Sequence, residues 1–206
     1  MTDLVLDPAQ TPTELSPYTP LPFRFTLAEY HRLHQQGFIP TESRVELIEG
    51  VIIQMAAVGE FHAGVVDYTS STFNRLFFRE NQIWIVRTQG PIVIGSSEPI
   101  PDVAILKPDP DFYRQKRVTA ADTLLVVEVS ESTLRYDQTT KHKLYATAEI
   151  PEYWVINLEH GCVIQSWNPT GGVYTQTQTL KRGETVTSTQ LPILSLTVGS
   201  ILGSKA

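Results

Sequence analysis

The sequence predicts an α/β (α+β) domain with a central mixed β-sheet flanked by helices, and three observations carry that expectation. Thr123-Leu-Leu-Val-Val-Glu-Val-Ser130 is a β-branched, apolar run of the kind that forms a strand buried on both faces. Helix-spaced and strand-like segments are interleaved along the chain, which favours helices packed on a sheet over an all-β or all-α architecture. No internal repeat or linker interrupts the series, and 206 residues suffice for one domain with a full core.

The elements can be justified in order. Residues 1–22 contain Pro8, Pro12, Pro17, Pro20 and Pro22 without periodicity, which predicts an extended or flexible arm ahead of a single domain at 23–206. Thr26 and Glu29 are spaced as a capping box, with Phe25 and Tyr30 as the hydrophobic staple, and the helix should stop at Gly37. Arg44–Met55 reads as a β-hairpin turning at Glu49-Gly50, with Glu46 on the opposite face from Val45 and Leu47. From Glu60 to Arg79, Val65, Val66, Phe73, Leu76 and Phe77 make one apolar stripe on a helix. His62 lies in its first turn, either as a site residue or as a helix-start residue satisfied by backbone.

Ile83–Arg87 and Pro91–Ile94 read as strands on either side of Gln89-Gly90, and Pro99-Ile-Pro-Asp-Val-Ala-Ile-Leu106 as a further strand with Asp102 at its mouth. A loop at 107–122 leads to the strand Thr123–Ser130. A helix over 137–148 and a strand Glu152–Asn157 follow. Cys162–Trp167 and Val173–Thr179 alternate around Asn168–Gly172 as an outer hairpin, and Leu194–Val198 should close the sheet or run along its edge.

Composition narrows the function. Hydrophobic residues make up 41% of the chain and charged residues 18%, as in ordinary soluble proteins. No apolar run approaches the about eighteen residues that span a bilayer, and Met-Thr-Asp-Leu does not begin a secretory signal. Cys162, the single cysteine, reads as a core or strand residue, so the cytoplasm is the expected compartment, with no membrane partner. A net charge of −6 argues against a passive nucleic-acid coat protein. It leaves room for an enzyme, whose local field near the site matters more than the sum.

Glu128 and Asp102 are the residues that a purely structural strand does not explain, because an isolated buried charge is costly unless paired or metal-bound. Two acids at the ends of neighbouring strands can hold a hard divalent cation, Mg²⁺ or Mn²⁺, with room for waters and a phosphate oxygen. A nearby ammonium can orient the water and neutralise the phosphate. At about 100° per residue, Asp137, Lys141, Leu144, Tyr145 and Ala148 share a helix face that should lie on the sheet. Lys143, about 200° from Lys141, points away. Asp137 also suits a helix N-terminus simply as an acid.

Taken together, these motifs resemble a known family. Arg44-Val-Glu-Leu-Ile-Glu-Gly50, His62 opening a helix, Gln89 before a strand and Pro101-Asp-Val-Ala-Ile105 are joined by Val126-Val-Glu-Val-Ser-Glu-Ser-Thr-Leu-Arg-Tyr-Asp137, Lys141, Tyr145-Ala and Pro151-Glu-Tyr-Trp-Val-Ile-Asn157. Over roughly residues 25–200 the chain looks like the endonucleases called the Uma-two family, part of the restriction-endonuclease-like PD-(D/E)XK superfamily.

The resemblance implies a restriction-endonuclease-like sheet, a divalent metal and DNA as substrate. It makes Asp102 and Glu128 metal ligands, with the Val129 carbonyl a third and Glu46 holding a metal-bound water or a second ion. Lys141 stands as the catalytic lysine, which the superfamily places two residues after the acid, where this chain has Ser130. His62, Gln89, Asp137 and Tyr145 would support the site. Two alternatives stay open: a DNA- or protein-binding module that kept the fold without catalysis, and a metal-dependent hydrolase of another phosphoester. A homodimer paired through the outer hairpin would suit cleavage of both strands.

Overall fold

The computed structural model describes residues 22–203; of the arm expected at 1–22, all but Pro22 lies outside the described residues. A six-stranded sheet forms the frame, in the order β3 (Ile85–Thr88), β4 (Val103–Leu106), β5 (Thr123–Ser130), β6 (Glu152–Asn157), β7 (Cys162–Thr170), β8 (Val173–Lys181). Neighbours are antiparallel except β5 and β6. That parallel pair requires a crossover, which the helical segment between them supplies.

Two cores sandwich the sheet. β5 alternates between them: Leu125, Val127 and Val129 pack on the side of α2 (Glu60–Arg79), with Val65, Val66, Phe73 and Phe77. Val126 packs on the other side with Tyr145 and Ala146 of α4 (His142–Thr147). This two-sided burial is why the strand reads as a continuous apolar run. Cys162 is a buried strand residue at the start of β7.

Several expected elements form as read. Thr26 and Glu29 make the capping box of α1 (Leu27–Gln35), and Gly37 follows it at φ +74°. β1 (Val45–Ile48) and β2 (Val51–Gln54) form the hairpin, whose turn places Glu49 at φ 48° and Gly50 at φ 78°, as a type I′ turn requires. A side chain at Gly50 would collide, since a Cβ there would lie 2.8 Å from that of Arg24.

Others differ. Pro91–Ile94 makes isolated bridges and not a strand, Val93 with Thr119 and Ile94 with Ser97; Pro91 has no N–H for a ladder, which disfavours one. β3 begins at Ile85, two residues later than expected. The helix expected at 137–148 starts earlier, as α3 (Leu134–Tyr136), and widens into a π-helical segment at Asp137–Lys141 before α4. The C-terminal strand does not close the sheet: β10 (Ser195–Thr197) pairs with β9 (Thr185–Thr187) as a separate two-stranded sheet, followed by α5 (Val198–Leu202). Only β8 of the outer hairpin is an edge, because β7 lies between β6 and β8. Among the described residues, no helix is long and apolar enough to cross a membrane.

Glu152 ties that small sheet's loop to the frame. Its fully buried carboxylate accepts from Trp154 Nε1 (2.6 Å) and Gln165 Nε2 (2.7 Å) on one oxygen. The other takes Ser188 Oγ (2.7 Å), Thr189 N–H (2.9 Å), Thr189 Oγ1 (3.1 Å) and Gln190 N–H (3.2 Å). Glu152→Ala strands all these donors, so it should lower stability by about 3 kcal/mol or more. Urea denaturation measures the change; a loss below about 1 kcal/mol would mean that water or other groups replace the carboxylate.

Candidate active site

The register of β4 on β5 builds the site. Val103 pairs with Val127 and Ala104 with Val126, so extending the antiparallel ladder by one residue sets Asp102 beside Glu128. The two-residue period of β5 turns Glu128 to the same side as Val126, towards the crossover helix. There the Tyr145 hydroxyl donates to Glu128 Oε1 at 2.8 Å and Lys141 Nζ donates to the same oxygen at 2.9 Å. Lys141 also donates to Glu46 Oε1 at 2.9 Å, an oxygen that accepts the Ile100 N–H at 2.8 Å. The hairpin acid thus belongs to the site through residues far away in the chain.

Asp102 is fixed from three directions. Its Oδ2 accepts the Val129 N–H at 2.9 Å, while Oδ1 lies 3.1 Å from His62 Nε2 and 3.5 Å from Gln89 Nε2. Gln89 occupies a turn at φ 48°, and its own N–H donates to the Asp102 carbonyl at 3.0 Å. Asp137 Oδ2 accepts from the hydroxyls of Ser130 and Thr133, bracing the crossover segment against the end of β5. Ser130, where the resemblance puts a lysine in other chains, therefore serves as an anchor for Asp137.

The π-helical turn bears on this placement. It holds Asp137 and Lys141, both buried, at its two ends. Such single-turn widenings insert an extra residue into an α-helix and recur at functional sites. Lys143 is exposed, as the helix geometry predicts.

Glu46, Gln89, Asp102, Glu128, Asp137 and Lys141 line one cavity of about 240 Å³, with Val129 and His62 also in its wall; Tyr145 and Ser130 hold Glu128 and Asp137 from behind that lining. Its floor is nearly closed to water: Lys141 and Glu46 are 1% exposed, Glu128 3% and Asp102 6%. Burial pushes Asp102 up, but the His62 hydrogen bond, His62 charge, the Val129 N–H and Lys141 outweigh it and hold the carboxyl below its ordinary range. Glu128 is pushed well up, by burial first and then by Asp137, Asp102 and Glu46, against the pull of Lys141. Burial lowers Lys141, yet Glu128, Glu46 and Asp137 more than offset it, so the ammonium stays protonated. Burial also raises Asp137.

The residues present fit a small cation. Five carboxyl groups, those of Glu46, Asp102, Glu128, Asp137 and Glu131, share the cavity with one ammonium, and Glu46 Oε2 is a buried oxygen without a hydrogen-bond partner among the described residues. Both hydrogen bonds to Glu128 fall on Oε1. Among the described residues, no three His, Cys, Asp or Glu side chains converge into a ready-made metal cluster. A set of few carboxylates completed by backbone and water is what Mg²⁺ ordinarily takes.

All the expected site residues thus converge, and Lys143 stays outside, as the helix geometry predicts. Sequence reasoning missed the Ile100 N–H on Glu46, which leaves no trace in residue type, and the Ser130 and Thr133 hydroxyls on Asp137. It also missed Tyr136, whose buried hydroxyl lacks a partner among the described residues and whose ring lies 5.8 Å from Lys141 Nζ.

Fold and site together define a nuclease-like α/β domain with a buried acid–lysine centre. A family model described as "Uma2: Putative restriction endonuclease" matches residues 27–199, and the chain belongs to that family. The fold is shared with a solved structure titled "Crystal structure of a putative nuclease belonging to DUF820 from Anabaena variabilis ATCC 29413 at 1.96 A resolution". The TM-score is 0.66 at 16% identity, covering 86% of this chain and 97% of that one. A comparison with curated proteins finds no match.

Tyr145→Phe keeps the ring in the core and removes one charge-assisted hydrogen bond to Glu128. It should cost about 1.5–3 kcal/mol, read as a lower thermal midpoint. An unchanged midpoint would show that the hydroxyl does not hold Glu128.

Proposed function

We propose that the protein is a divalent-metal-dependent endonuclease of the PD-(D/E)XK type, hydrolysing DNA phosphodiester bonds. The observation that carries this reading is the convergence of Asp102, Glu128 and Lys141 on one cavity beside the unpartnered Glu46 Oε2. Asp102 and Glu128, with the Val129 carbonyl, would hold Mg²⁺ or Mn²⁺, and Glu46 a water on that ion or a second ion. Bound there, a divalent ion neutralises phosphate charge and lowers the pKa of a coordinated water.

The chain's own residues have separable tasks. His62 and the Val129 N–H orient Asp102 and keep it ionised. Tyr145 holds Glu128 from the far side. Lys141 is held protonated, so it acts as a hydrogen-bond donor and not as a base: it orients the attacking water and faces the scissile phosphate. Water oxygen bonds to phosphorus while the bond to the leaving sugar oxygen breaks; the attacking water gives up a proton to bulk water and the leaving oxygen takes one from bulk water, so that the products are a phosphate monoester and a sugar hydroxyl. The two acids and the lysine also favour an enzyme over a non-catalytic module, which needs none of them.

Nicking of supercoiled plasmid with Mg²⁺, Mn²⁺ or EDTA tests the reading. Cleavage should appear with metal and vanish with chelator; no cleavage of either the plasmid or a single-stranded circular DNA with either metal would sink it. Metal should raise the melting temperature of the wild type, and Asp102→Ala should abolish that rise.

Lys141→Met should lose nicking by about a hundredfold or more. Without metal it should also be about 3–5 kcal/mol less stable, because two buried carboxylates lose their counter-charge. Added metal should recover more of that loss than it adds to the wild type. Lys143→Ala should keep nicking and at most weaken salt-dependent DNA affinity. An inactive Lys143→Ala beside an active Lys141→Met would reverse the assignment.

A further inference from the structure

We propose that the site takes an unpaired DNA strand in preference to intact duplex, an inference that rests on the nuclease reading above. The acids and Lys141 form the buried floor of the cavity, whereas Arg44, Ala56, Ala57, Gly59, Glu131 and Ser132 at its walls are exposed and form the rim. The scissile phosphate must therefore descend past the rim. In a duplex it is held in a stiff double helix beside its neighbours and the complementary strand. An unpaired strand bends locally and can dip. Enzymes whose target atoms lie in recessed pockets take single strands or extrude the nucleotide for the same reason.

Three features of the mouth agree. Its rim is closed at one point: Gly59, on the segment joining β2 to α2, lies next to Glu131, where a Cβ on Gly59 would be in ordinary contact, 3.4 Å from Glu131 Oε2. It is apolar on that side, where Met55, Ala56, Ala57 and Val58 line the cavity; a base face pairs with such a surface, and a duplex does not present one. It is poor in cations. Among the described residues lining the cavity, the Lys and Arg side chains are Lys141, enclosed between Glu46 and Glu128, and Arg44, whose Nη1 donates to the Ala56 carbonyl at 3.0 Å. A face that grips duplex neutralises many phosphates at once; here Glu131 adds a negative charge at the rim.

The test uses the full wild-type chain with Mn²⁺ and four end-labelled or chromogenic substrates. These are a single-stranded oligonucleotide, the same sequence as a blunt duplex, that duplex with a central unpaired bubble, and bis(p-nitrophenyl) phosphate. The single strand and the bubble should be cut faster than the blunt duplex by roughly tenfold or more, with bubble cuts confined to the unpaired stretch. Blunt duplex cut as fast as the single strand would overturn the proposal while leaving the nuclease reading intact. Cleavage of the small diester with no cleavage of any oligonucleotide would overturn both.

Discussion

A single buried ammonium holds this molecule's centre together. Lys141 bridges Glu46 and Glu128 at 2.9 Å each with about one hundredth of its surface exposed. Taking three charges out of water is costly, and the geometry has to recover that cost through close, well-aligned contacts. The recovery links three parts of the chain that are otherwise independent: the β1–β2 hairpin, the central strand β5 and the crossover segment. Backbone N–H groups fix two of the acids further, Ile100 on Glu46 and Val129 on Asp102. Each carboxylate is oriented by an element whose position the sheet already determines.

The same arrangement leaves the cavity with an excess of negative charge. Asp102 is stabilised as an anion, whereas Glu128 is pushed the other way by burial and by its neighbours. Adjacent carboxyls driven in opposite directions mark a place where a further positive charge would lower the energy of the whole cluster. The lysine that neutralises the acids thus occupies the surroundings that an incoming cation would share.

Much of this was legible in the sequence because the physical constraints were local. Thr123–Ser130 is apolar on both faces because both faces are covered, and Glu128 within it stood out for that reason. Asp102, Lys141 and Tyr145 could be placed by strand ends and helix spacing, and the Lys141/Lys143 distinction survives despite the irregular turn between Asp137 and Lys141. What stayed hidden depended on backbone groups and on distant pairing. Nothing in residue type announces that the Ile100 N–H binds Glu46, that Pro91–Ile94 fails to make a ladder, or that β10 finds β9 instead of the main sheet. The π-helical turn was invisible as well, since its residues suit an α-helix equally well.

Cys162 gives the fold an internal reporter. The thiol is the chain's single cysteine, is buried where β7 begins beside β6, and is pushed up by that burial away from its reactive thiolate form. An alkylating reagent therefore has to wait for the strand to come away from its neighbours. The rate of modification in native conditions counts those openings one molecule at a time, and it does so on the frame of the sheet.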